Sequence, residues 1–293
     1  MAGNAPMNRL LCFGFGFCAA TLAERLGKDH WSVAGTSRTA EGCAAMAGRG
    51  FAPVSFDASG PIDPSIIAGH DHVLISIPPD ENGDPVLRWH AGHILDNRRS
   101  IRWIGYLSST AVYGDRSGGW VDESDPLVPS SERAARRLHA EEQWLGFCRT
   151  HGLPVHVFRL AGIYGPGRNQ LLSIRAGTAR AIVKPGQVFS RIHVEDIAGV
   201  LEASMTAPRP GRIYNVCDDE PASPETVVAF AAELMSAPPP PRIDVALAGL
   251  SPMAKSFYDD SKRVSNRRIK EELGYRLLYP TYREGLTALK ATL

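Results

Sequence analysis

With 293 residues the chain has room for one large α/β domain, or for a main domain with a smaller lobe. Apolar residues make up 44% and charged residues 22%, ordinary proportions for a globular protein, and a net charge of +1 gives no electrostatic ground for nucleic acid or an anionic membrane as partner. Five cysteines, Cys12, Cys18, Cys43, Cys148 and Cys217, lie scattered without CxxC spacing, which argues against a zinc site and for a reducing cytoplasm.

Met1 to Asn8 reads as a flexible lead-in. Leu10-Leu11-Cys12-Phe13 is a short apolar run that predicts a buried first strand, and Gly14-Phe15-Gly16 breaks it. Ala19, Ala20, Leu22, Ala23 and Leu26 follow at helical spacing, with Gly27 placed to end the helix. The pattern Gly14-x-Gly16-x-x-Ala19 is the alanine-ended form of a dinucleotide fingerprint. Gly14 permits the tight turn, Gly16 lets backbone approach a pyrophosphate, and Ala19 lets helix and strand pack closely. The N–H groups near Phe17 and Cys18 would then face an anion. A secretory signal fits less well, because two glycines interrupt the run and it passes into Glu24-Arg25 without a cleavage-like break. The run is also too short to span a bilayer.

Residues 31–36 predict the second strand, with Ser37 and Arg38 at its carboxyl end. An NAD-preferring site would place an acid here to hold the ribose 2′-hydroxyl. Two hydroxyls and a guanidinium stand there instead, a set suited to a 2′-phosphate, so the sequence favours NADP, with NAD as the second choice. Residues 52–57 predict a third strand and 72–77 a fourth, ended by Pro78-Pro79 over the place where a dinucleotide would lie; Ile77 and Pro78 thereby join the cofactor-binding candidates. A helix over 85–95, a fifth strand over 102–107, a long helix over 131–150 and a sixth strand over 155–160 complete an alternation that implies a parallel, doubly wound Rossmann-type sheet.

Beyond Gly165 the rhythm changes. Residues 168–180 read as helical, 181–193 as a hairpin turning at Pro185-Gly186, 196–204 as a helix and 212–217 as a strand. Ser223-Pro224-Glu225 is a helix start: a capping hydroxyl, proline at the first helical position and an acid in the first turn. Pro238 to Pro241 form a stiff connector. Helices over 267–273, capped by Gly274, and 282–289 end the chain. Residues 1–165 thus read mainly as a nucleotide-binding domain, and 166–293 mainly as a small substrate lobe with returns to the main sheet.

Several segments together resemble the extended short-chain dehydrogenase/reductases, which include nucleotide-sugar epimerases and dehydratases. They are the glycine turn, Ser108-Ser109-Thr110-Ala111-Val112-Tyr113-Gly114, Arg159-Leu160-Ala161-Gly162-Ile163-Tyr164-Gly165-Pro166-Gly167, the run 191–198, Tyr214-Asn215-Val216, and the ending 273–275 with 279–286. The details look most like an atypical bacterial branch. The resemblance implies a seven-stranded parallel sheet binding NAD(P), with Asp57 at the position that contacts the adenine. It implies an epimerase or oxidoreductase acting on a small anionic or sugar-nucleotide substrate, and a homodimer through the helices near 85–95 and 131–150.

The departures bear on chemistry. Ser109 falls where the family keeps the hydroxyl that binds the reacting oxygen. With Glu141 as anchor, the family's Tyr-x-x-x-Lys becomes Arg133 and Arg137. The usual tyrosine takes and gives a proton because a neighbouring ammonium lowers its pKa; an arginine stays protonated and does neither. Tyr113, on the same loop as Ser109, is the candidate substitute, although the resemblance gives it a packing role. Tyr164 and His193 read as structural, and a crevice holding Arg133, Arg137 and Arg168 would favour a bound anion. The sequence supports two functions: an NADP-dependent oxidoreductase or epimerase with unusual acid–base groups, or a non-catalytic NADP-binding sensor on the same scaffold.

Overall fold

A computed structural model describes residues 7–293, the side chains of Pro252, Met253 and Ser256 excepted. In chain order the strands are β1 Asn8–Phe13, β2 Trp31–Ser37, β3 Ala52–Ser55, β4 His72–Ile75, β5 Trp103–Ser109, β6 Trp120–Val121, β7 Val155–Leu160, β8 Gly162–Tyr164, β9 Ala181–Val183, β10 Arg191–His193, β11 Ile213–Val216, β12 Arg242–Asp244 and β13 Arg263–Val264. The helices are α1 Phe17–Leu26, α2 Ala40–Gly48, α3 Pro64–Ala68, α4 Pro85–Asp96, α5 Glu132–His151, α6 Gln170–Arg175, α7 Val194–Thr206, α8 Pro224–Leu234, α9 Pro252–Asp259, α10 Arg267–Leu273 and α11 Tyr282–Lys290.

Seven strands form the main sheet in the order β11-β7-β5-β4-β1-β2-β3, the Rossmann-type arrangement expected from the alternation. Its register pairs Leu10 in parallel with both Val33 and His72, and His72 with Trp103. β4 is buried at every position, and after His72 its apolar run Val73–Ile75 is that of a strand covered on both faces. The strand order reverses between β1 and β4, and ligands of such sheets bind outside the strand ends at that point.

The chain divides into two compact units and passes between them several times. One comprises residues up to Ser108 with Arg136–Phe158 and Ala198–Ile213; the other comprises Ser109–Ala135, Arg159–Ile197 and Tyr214–Leu293. The first has a core of Leu11, Phe13, Val73, Ile75, Ile104, Tyr106 and Trp144. The second packs Tyr164, Leu171, Val227, Ala231, Tyr282 and Leu286 together, beside three short parallel pairs: β8 with β10, β9 with β12, and β6 with β13.

Several expectations need correction. The lead-in lies outside the described residues up to residue 6, but Asn8 already pairs with Trp31 in β1. The third strand stops at Ser55, so Asp57 lies beyond it. The fourth stops at Ile75, where Ser76 and Ile77 both donate N–H to the Phe13 carbonyl and turn the chain. The hairpin over 181–193 does not form. Its arms join different parallel partners, because Gln187 Nε2 and the Val188 N–H bond the Asp260 carbonyl and Ser261 Oγ rather than each other's strand. The helix expected over 168–180 shrinks to α6, which Gly177, in the left-handed region at φ 67°, terminates. Helices α2 and α3 were not anticipated, although Asp63 accepts a bond from the Ser65 N–H ahead of Pro64 at α3's first position, a legible start signal.

Candidate functional site

In the first unit, Phe13 delivers the chain into a turn at the reversal point. Gly14 sits at φ 88°, and a Cβ there would lie 2.9 Å from Ile77 Cγ1, so only glycine fits. Its N–H donates to Thr36 Oγ1 (2.7 Å) and the Phe15 N–H to the Thr36 carbonyl (3.0 Å), fastening the turn to β2. The Phe15 ring folds onto Gly35, where any Cβ would meet it, and packs at a tilt against Phe51, with centroids 5.3 Å apart. Phe15 is therefore a packing residue whose backbone, not its ring, is left to face a ligand. Gly16 is exposed and caps α1 with no side-chain bond, and a Cβ there would meet nothing within 4 Å. The α1 terminus, opening at Phe17, thus presents backbone to open space.

At the end of β2, Ser37 Oγ bonds the Thr39 backbone and packs on Gly42. Arg38 is exposed and, among the described residues, makes no hydrogen bond or ion pair. Asp57 is exposed, and its Oδ1 accepts from the Ser59 N–H (2.9 Å) and hydroxyl (2.6 Å); those bonds hold its carboxyl below the usual range. Ile77 is half-buried and Pro78 exposed beside the turn.

The candidate acid–base residues separate sharply. Ser109 Oγ accepts from the Ala111 N–H (3.2 Å), capping a 3₁₀ turn over Thr110–Tyr113. Tyr113 is fully buried. Its hydroxyl donates to Asn215 Oδ1 (2.8 Å) and accepts from Arg159 Nη1 (2.9 Å), whose guanidinium also lies over the ring. Burial pushes the phenol up to about 12 despite Arg159. Tyr113 thus clamps Asn215 and Arg159 together, with its hydroxyl occupied on both sides. Arg137 donates to the Leu107 carbonyl (2.5 Å), and Ser108 donates to buried Glu141. Arg133, one turn earlier on α5, is exposed with its guanidinium over the Phe257 ring at 5.1 Å.

The second unit contains a cavity of about 410 Å³. Ser109, Thr110 and Arg133 line it, but neither Arg137 nor the exposed Arg168 does, which corrects the cluster expected from sequence. Its other cations are Arg180, Arg191 and Lys262, with Asp260 the opposing carboxylate among the described lining residues. Phe189, Phe257 and Tyr258 add aromatic surface. These cations, scattered from 180 to 262, had no local signal in the sequence; the short parallel pairs collect them. Tyr164 also lines the cavity, but its hydroxyl is directed to the Thr281 carbonyl (3.5 Å) and crowds Gly285, and burial pushes its pKa up. His193 is buried between the rings of Tyr164 and Tyr279 and accepts from the Glu195 N–H, and burial lowers its pKa against the pull of Glu195.

Behind Arg191 lies Asp218, 1% exposed, with Oδ2 lacking any partner among the described residues. Burial pushes its carboxyl up to about 8 although Arg191 pulls the other way. Between the unfolded value near 4 and that folded value, the native state holds a proton that the unfolded chain has released. Stability should therefore fall as pH rises through this window. Asp218→Asn is expected to raise the melting temperature by ~3 °C or more at pH 8 and by little at pH 4.5. Thermal melts at both values check this; an equal effect at both would refute it.

Residues 94–217 match the NAD dependent epimerase/dehydratase family. The chain is 51% identical to a functionally unknown conserved protein from Silicibacter pomeroyi DSS, covering 98% of this chain and 99% of that one, with a TM-score of 0.91. It is 29% identical to Protein YeeZ of Escherichia coli (strain K12), over 94% of this chain and 97% of the relative. A dTDP-glucose 4,6-dehydratase from Bacillus anthracis, solved in complex with NAD, shares the fold at a TM-score of 0.77 and 16% identity, over 98% of this chain and 97% of the other. The fingerprint turn, the seven-stranded order and the match over residues 94–217 agree: that stretch carries the pattern of the NAD dependent epimerase/dehydratase family, set on a Rossmann-type sheet.

Proposed function

We propose that this protein is an NADP-dependent oxidoreductase of an atypical kind, acting on a small anionic substrate held in the cavity of the second unit. The observation that carries the cofactor choice is Arg38: an exposed guanidinium with no partner among the described residues, at the end of β2, with no carboxylate in its place. A nicotinamide dinucleotide also suits the open backbone at Gly16, where the space beside the α1 terminus would receive the pyrophosphate. The Bacillus anthracis dehydratase, of the same fold, was solved with NAD, which supports a nicotinamide cofactor here. When bound, that cofactor supplies or accepts a hydride. Ser109 would orient the substrate oxygen, and Arg133 and Arg180 would hold an anionic group.

The non-catalytic sensor remains the second reading, favoured by the sealed Tyr113 and the arginine at 133. Calorimetric titration of NADP and NAD tests the cofactor assignment. A charge-assisted contact to the 2′-phosphate is typically worth about 1.5–3 kcal/mol, or roughly 10–150-fold in affinity. Wild type is expected to prefer NADP by that factor and Arg38→Ala to lose the preference while keeping its NAD affinity. Equal affinities in wild type would refute the assignment.

A further inference from the structure

Proton transfer in the cavity must come from a group that can both lose a proton and face the substrate. Arg133, Arg180 and Arg191 stay protonated. Tyr164 directs its hydroxyl to Thr281, and Tyr113 is locked between Asn215 and Arg159. Tyr258 is half-buried, and burial pushes its phenol up as well. One primary amine lines the cavity among the described residues, Lys262. It is 8% exposed, and its Nζ lies 3.0 Å from Asp260 Oδ2. Asp260 in turn accepts from Ser130 Oγ (2.5 Å), another lining residue, so the amine is held by a carboxylate that is itself held.

We propose that Lys262 is the catalytic acid of this cavity, donating a proton from Nζ to the oxygen of an anionic carbonyl substrate, with Asp260 and Ser130 as positioning residues. This rests on the oxidoreductase reading above. The hydride, with its electron pair, would come to the carbonyl carbon from a reduced nicotinamide when one is bound. The carbonyl π pair moves to oxygen, and oxygen takes the proton as the Nζ–H bond breaks. The products are an alcohol, the oxidised nicotinamide and a neutral amine that water reprotonates. Burial draws the amine below the usual lysine range, and Arg116 adds to this; Asp260 and Asp115 pull it back up. A proton on a desolvated ammonium is released more readily than on an exposed lysine.

The chain has six lysines, at 28, 184, 255, 262, 270 and 290, so position can be read directly. Pyridoxal 5′-phosphate, an anionic aldehyde, followed by borohydride and peptide mass mapping, is expected to label Lys262 ahead of the other five. Asp260→Asn should alter the rate of that labelling. In parallel, NADPH consumption is followed with a panel of 2-oxo acids and phosphorylated ketones and aldehydes. Lys262→Met should reduce turnover about 10²–10⁴-fold with NADPH binding kept. Lys262→Arg preserves the charge beside Asp260, guards against a folding defect, and should be as inactive. Preferential labelling of another lysine overturns the assignment. So does turnover undiminished in Lys262→Met, or wild type that binds NADPH yet consumes none of the panel. Wild type that fails to bind NADPH overturns the oxidoreductase reading instead, and the labelling pattern then decides Lys262 by itself.

Discussion

Replacing Gly16 by valine is expected to abolish dinucleotide binding while leaving the fold intact. Gly16 has φ −86° and ψ −163°, angles open to any residue, and a Cβ there meets nothing within 4 Å. The added isopropyl group would therefore fold without strain and fill the space into which α1 presents its first N–H groups. A pyrophosphate kept from those donors loses several charge-assisted bonds, each typically worth about 1.5–3 kcal/mol, so affinity should fall by at least about 100-fold. Gly14 cannot serve for this experiment, because its φ of 88° and the contact with Ile77 make any side chain a folding defect. Calorimetry with NADP, beside a thermal melt, checks the expectation. Normal binding by a folded Gly16→Val protein would place the nucleotide site elsewhere.

Nucleotide sugars should be turned over at rates about 10²–10⁴-fold below those of a tyrosine-based active site. Oxidising a sugar carbinol needs a base for the hydroxyl proton. Arg133 offers none, Arg137 is committed to the Leu107 carbonyl, and Tyr113 is buried between Arg159 and Asn215. Lys262, paired with Asp260, presents a protonated amine and not a free base. Arg133→Tyr together with Arg137→Lys is expected to be necessary for family-like activity. Steady-state assays on UDP- and dTDP-sugars, reading reduced cofactor, test this. Robust wild-type turnover that disappears in Tyr113→Phe would show that the clamp opens and the phenol reacts. Robust turnover that survives Tyr113→Phe would refute the expected low rate.

The sequence by itself determined what local chemistry controls. The glycine turn was legible because only Gly satisfies a positive φ at 14 and an open approach at 16. The central strands of the main sheet were legible because burial on both faces favours mainly apolar runs, such as 73–75 and, interrupted by His156 and Arg159, 155–160. The start of α8 was written in Ser223-Pro224-Glu225, and Ser223 Oγ indeed accepts from the Thr226 N–H. The position of Arg38 could be read against the fingerprint, and those of Arg133 and Arg137 against the family resemblance, without coordinates.

Tertiary structure alone decided which polar side chains share a cavity. Arg133, Arg180 and Lys262 lie far apart in sequence and carry no common period, and their meeting depends on β8, β9 and β6 choosing partners 29, 61 and 143 residues away at their first paired positions. The same non-local pairing replaced the expected hairpin over 181–193, since turn chemistry at Pro185-Gly186 fixes a bend but not the partners of its arms. Burial was equally invisible: Tyr113 reads as a loop phenol beside Ser109, and it becomes a clamp only because Arg159 and Asn215, brought from elsewhere in the chain, close on its hydroxyl and water is excluded.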